Sequence, residues 1–106
     1  MILSSTDSVP GRVVASVIGI VRGNTVRAAH AKDDVTAWMK NLVGGEIHEY
    51  TKLMAESREQ ALDRMVAEAR AVGADAVVGV HFVTCEIAEG AAEFLAYGTA
   101  VKLAPR

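Results

Sequence analysis

A chain of 106 residues, 51% hydrophobic and 23% charged, has the size of one domain, buries a real core and is too apolar to be disordered. Eleven basic against thirteen acidic residues leave a net charge of -2, with no Lys/Arg cluster that could track a phosphate backbone, which argues against a nucleic-acid partner. A single cysteine excludes an intrachain disulfide, a CxxC-based zinc ribbon and a thioredoxin-type dithiol.

The N-terminus has no basic region followed by a long apolar stretch, and the apolar run from Val13 to Val21 is too short to span a bilayer. The chain therefore reads as cytoplasmic, with no membrane partner. Ser8, Pro10 and Gly11 predict a turn between a short N-terminal segment, Met1 to Ser5, and the strand RVVASVIGIVR. Arg12 and Arg22 are the only charges of that strand and lie at its ends, so both faces are apolar, with Val13, Val17 and Val21 on one and Val14, Ile18 and Ile20 on the other. Gly19 inside it predicts a bulge or a tight bend. Gly23-Asn24 reads as a two-residue turn, with Thr25 to Ala29 returning as a short strand.

Asp33 and Asp34 suit the start of a short helix, because a carboxylate in the first turn accepts orphan amide hydrogens. Val35, Trp38, Met39, Leu42 and Val43 follow at helical spacing, and Gly44-Gly45 ends it. Trp38 and Met39 read as a core or interface anchor rather than a cofactor platform. A longer helix is predicted over roughly Tyr50 to Val72. Its apolar stripe is Leu53, Met54, Ala61, Leu62, Met65, Val66, Ala69 and Val72, and Gly73 is its stop. From Ala74 to about Glu86 the period becomes that of a strand, Glu89-Gly90 offers a turn, and a last strand covers about Glu93 to Leu103.

This order predicts a single α+β domain over residues 1–106: a small, mostly antiparallel sheet with a short and a long helix packed on one face. Helices cover only one face of such a sheet, whereas the strands at 13–21 and 76–85 are apolar on both. A closed barrel or self-association would cover the other face, and symmetric oligomerisation is the simpler solution at this size.

VGG at 43–45, a tyrosine at 50 opening a long helix, AEARAVGADAVVGV at 67–80 and GTAV at 98–101 together resemble the YbjQ-like family of small bacterial proteins, which carries a heavy-metal-binding description. The likeness runs nearly end to end in the family's order. It implies a compact α+β subunit assembling into a ring-shaped homo-oligomer, commonly a pentamer. Gly44, Gly45, Tyr50, Gly73, Ala74, Asp75, Gly79, Gly98 and Thr99 match the pattern, and most read as architectural.

Three places carry metal-ligating residue types, as separate candidates rather than one site. His81 and Cys85 share a strand face, but a rise of about 3.3 Å per residue separates their backbones by roughly 13 Å. One ion cannot take both from an extended strand, so a site there needs donors from another strand or subunit. The alternative is packing: a buried thiol and a core histidine with one nitrogen satisfied. His30 stands three and four residues before Asp33 and Asp34, a spacing that converges if the turn is tight and would suit a divalent transition metal. Helix capping with a solvated His30 explains the same residues without a ligand. Glu46, His48 and Glu49, in EIHEY, read as a flexible, solvated loop before the long helix.

GxSxG, HExxH, P-loop and dinucleotide fingerprints are all missing. The expectation is a non-enzymatic oligomeric binding protein that holds a heavy-metal ion or small ligand at subunit junctions. The alternative is a structural or scaffold ring acting through protein-protein contacts, with an enzyme of unrecognised type behind both.

Overall fold

The structure, a computed structural model, describes residues 1–28 and 48–106. Its elements are β1 (Ile2–Leu3), β2 (Val14–Ala28), α1 (His48–Ala71), β3 (Ala76–Ala88) and β4 (Ala91–Leu103). The four strands form one sheet in the order β1-β3-β4-β2, with β4 antiparallel to both long neighbours and β1 parallel to β3. The expected α+β architecture is present, as a mixed sheet with the long helix on one face. The short helix expected between Asp33 and Val43 lies outside the described residues. Among the described residues no helix is long and apolar enough to cross a membrane.

The helix follows from its sequence. Ala61, Met65 and Ala69, four apart, are buried, and Met54, Leu62 and Val66 flank them against Val21, Val77, Phe94 and Ala96 of the sheet. Ser57 is fully buried on the same face; its hydroxyl donates to the Leu53 carbonyl at 2.7 Å, which satisfies it inside the helix. Val72, expected in the stripe, is exposed because it lies past the last turn. There the Ala74 amide donates to the Ala69 carbonyl and the Gly73 amide to the Arg70 carbonyl, both at 3.0 Å, with Gly73 at φ +78°. That is a Schellman closure, and it confirms the helix stop at Gly73.

The Gly23-Asn24 turn does not form. β2 runs unbroken through Arg22↔Tyr97, Gly23↔Ala96, Asn24↔Leu95 and Thr25↔Phe94. The glycine serves a different purpose: a Cβ on Gly23 would enter the α1 backbone at Ala61 and Met65 and stand 2.7 Å from the Arg64 Cβ. A glycine inside a strand marks close backbone approach as readily as a turn, and here it lets the helix lie directly on the sheet. Gly19 does mark an irregularity, with a register shift between Val17 and Gly19.

The second face of the sheet has its own, smaller core. Residues beyond β1 fold back so that Val9 packs with Ala76, Val78, Val101 and Leu103, with Val14 alongside. The chain thus covers part of this face itself, a third solution besides the barrel and the oligomer. Cross-strand partners share a face: the row Ile20–Thr99–Val78 borders the Val9 patch through Val78, and beyond it the rows are Arg22–Tyr97–His81, Asn24–Leu95–Val83 and Val26–Glu93–Cys85.

Candidate functional site

The exposed rows begin at a kink. Gly79, at φ +61°, lies where the β3 register shifts between Val78 and His81, which brings Val78 and His81 onto one face although they are three apart. His81 stacks on Tyr97 with ring centroids 5.7 Å apart and planes inclined by 20°. Its Nδ1 lies 2.7 Å from the Gly79 carbonyl oxygen, so one ring nitrogen is satisfied by the chain itself, as the packing alternative expected.

The expectation of burial is wrong for both residues. Every residue from His81 to Glu89 is exposed, Cys85 included. The reason is tertiary: α1 lies mainly over β2 and β4, so β3 beyond Val80 has little above it on either face. Cys85 pairs across the strands with Glu93, and its Sγ lies 3.6 Å from the Glu86 carbonyl oxygen. Glu93 in turn accepts from the Asn24 side-chain amide at 3.4 Å. The thiol thus has a carboxylate, rather than a cation, as its cross-strand neighbour.

His81 and Cys85 stand on one face two rows apart with Val83 between them, as strand periodicity requires. Among the described residues no group of three or more His, Cys, Asp or Glu side chains is placed to hold a metal ion. The described part of one chain therefore does not by itself fit a heavy-metal ion, whose donors must converge to bond lengths of about 2.0–2.3 Å. His30, Asp33, Asp34 and Glu46 lie outside the described residues. His48 and Glu49 form the first turn of α1, so the solvated loop expected there is already helical.

Sequence reasoning overlooked the exposure of large apolar residues around these rows. Val17, Ile20 and Val26 of β2 are 66%, 71% and 52% exposed, and Phe82, Val83 and Ile87 of β3 are also uncovered. The signal was legible as strands apolar on both faces, but which residues stay uncovered depends on where the helix and Val9 lie. β2 is the last strand of the sheet; no strand among the described residues pairs with its outer side, but α1 reaches it, with the Arg22 amide donating to Glu68 Oε2 at 3.5 Å and the Asn24 carbonyl oxygen accepting from Arg64 Nη1 at 2.6 Å. The outer side of β3 is occupied only at its start, where Ser4 donates to Val77 and accepts from Val80, both at 2.9 Å, and the Gly79 amide donates to Thr6 at 2.7 Å. From His81 to Ala88 it has no partner among the described residues.

Comparison with known proteins places these features in a lineage. The YbjQ_1 family model, described as "Putative heavy-metal-binding", matches residues 1–104. A UPF0145 protein of Methanoculleus marisnigri is 56% identical over 106 residues, covering 100% of this chain and 99% of its own. One of Archaeoglobus fulgidus is 54% identical over 103 residues, covering 97% and 95%, and one of Vibrio campbellii is 50% identical over 103, covering 97% and 99%. The relatives include archaeal proteins, so the lineage is wider than the bacterial one expected. Among solved structures, a protein with unknown function of the DUF74 family from Pediococcus pentosaceus superposes with a TM-score of 0.69 at 13% identity, covering 98% of both chains, and shares the fold.

Proposed function

This chain belongs to the YbjQ_1 family, and from that premise we propose that it is a non-enzymatic subunit of a cytoplasmic, ring-shaped homo-oligomer, a pentamer, that holds a heavy-metal ion or small ligand at the junctions between subunits. The observation that supports assembly is the exposure of Val17, Ile20 and Val26 on β2 and of Phe82, Val83 and Ile87 on β3, large apolar residues that nothing among the described residues covers. Isolated exposed apolar residues are common, but six large ones on two strands of so small a sheet favour an interaction surface. The metal part rests on the family's description, together with the exposed His81 and Cys85 and the half-buried Glu93 on one face, a donor set that only residues from elsewhere would complete.

Light scattering at micromolar concentration tests the assembly, and a monomer would overturn it. Metal analysis after gentle purification, then titration calorimetry with zinc, copper and nickel, tests the site. Stoichiometric uptake is expected, weakened by at least one of His30→Ala, His48→Ala, His81→Ala and Cys85→Ser. Unchanged affinity in all four would remove every histidine or thiolate site considered. An oligomer that takes up no metal would leave the scaffold reading, a ring acting through protein-protein contacts.

A further inference from the structure

We infer that the row Arg22–Tyr97–His81 binds a planar aromatic anion, a ring system carrying a phosphate or a carboxylate, with the ring against Tyr97 and His81 and the charge on Arg22. This names the class of the small ligand in the proposed function and rests on that reading for the ligand's presence, although all three side chains belong to one chain. Register sets the three residues side by side on β2, β4 and β3, where adjacent strands stand about 4.8 Å apart.

Two of the three are already ordered. His81 stacks on Tyr97 with ring centroids 5.7 Å apart, and the contact from Nδ1 to the Gly79 carbonyl oxygen fixes the orientation of the imidazole. Both residues are exposed, so a ligand ring can reach them, and a platform held in place beforehand lowers the ordering cost of binding. Arg22 supplies the charge. Among the described residues no carboxylate stands within ion-pair distance of its guanidinium and no acceptor takes a hydrogen bond from it; Glu68 of α1 takes its backbone amide instead. The rows on either side, Ile20–Thr99–Val78 and Asn24–Leu95–Val83, carry no charge. Glu93 lies beyond them, four residues along β4 from Tyr97 or roughly 13 Å by strand rise, and accepts from Asn24. The row is therefore locally positive, and a guanidinium both pairs with phosphate or carboxylate through parallel N–H bonds and stacks on flat rings.

NMR titration of the full chain, read on the ring protons of His81 and Tyr97, tests this. Adenosine monophosphate and indole-3-acetate are the probes, one for each anion, with adenosine and inorganic phosphate as separate halves of the first. At least one anion should shift both rings, and the monophosphate should bind about tenfold more tightly than either of its halves, since stacking and a charge-assisted contact each contribute about that factor. Arg22→Ala and Tyr97→Leu should each weaken the bound anion about tenfold, while Lys52→Ala, which removes an equal charge from the exposed side of α1, should leave it unchanged. No shift with either anion, or an affinity that Arg22→Ala and Tyr97→Leu leave intact, would overturn the inference. Light scattering on the same samples keeps the two readings apart. A ring that binds neither anion would overturn this site alone, and a monomer that binds one would overturn the ring alone.

Discussion

Gly23 lies against the backbone of Ala61 so closely that no side chain fits between β2 and α1 at that point. Arg64 fastens the same crossing by donating from Nη1 to the Asn24 carbonyl oxygen at 2.6 Å. Helix and sheet are thus held at a separation that only glycine permits. Gly23→Ala should lower stability by about 3 kcal/mol, the upper end of typical overpacking costs, because the obstructing atoms are backbone and cannot rotate away. Urea unfolding at fixed protein concentration measures this, and a cost under about 0.5 kcal/mol would contradict the close approach.

Gly98 offers a milder version with a built-in control. A Cβ there would stand 2.6 Å from Val77 Cγ1 and 3.0 Å from the Val78 carbonyl oxygen. Since the nearest atom is the end of a side chain, Gly98→Ala should cost less than Gly23→Ala, about 1–2 kcal/mol. Combining it with Val77→Ala should cost less than the two single changes summed, because the second removes the obstruction met by the first. Strict additivity in a double-mutant cycle would show that the two positions do not compete for space.

Asp75 ties the start of β3 to the end of β4 in two ways of unequal weight. Its Oδ2 accepts the Leu103 amide at 2.9 Å, while its Oδ1 lies 3.8 Å from Lys102 Nζ with both side chains about half exposed. A half-exposed ion pair contributes at most about 1 kcal/mol, whereas an amide deprived of its acceptor costs about 1–3 kcal/mol. Thermal unfolding should therefore rank Asp75→Ala as clearly destabilising, with Asp75→Asn and Lys102→Ala close to the parent. A larger loss from Lys102→Ala than from Asp75→Ala would reverse this assignment.

Met65 and Ser57 are both fully buried on the sheet-facing side of α1, yet they should respond differently. Met65→Ala removes a large side chain from the middle of the core and should cost about 2–5 kcal/mol, depending on how far the site collapses. Ser57→Ala removes a hydroxyl bonded only to its own helix and should change stability by less than about 1 kcal/mol. Equal costs in equilibrium unfolding would place the centre of the core elsewhere.

What the sequence determined by itself is whatever depends on near neighbours along the chain. The stripe of Ala61, Met65 and Ala69, the stop at Gly73, the turn at Glu89-Gly90 and the shared face of His81 and Cys85 all follow from helical or strand periodicity and from glycine's conformational range, and the structure has each of them. Tertiary structure decided what depends on which segments become neighbours. Gly23 looks like a turn residue until α1 is laid across it, and Cys85 looks buried until the helix is seen to lie over β2 and β4. Likewise, Val9 and β1 complete a second core and a mixed sheet only because the N-terminal segment returns to β3. Local pattern specifies an element and its faces, whereas contacts between distant segments specify which of those faces are covered. In this chain that leaves Val17, Ile20 and Val26 of β2 and Phe82, Val83 and Ile87 of β3 uncovered among the described residues.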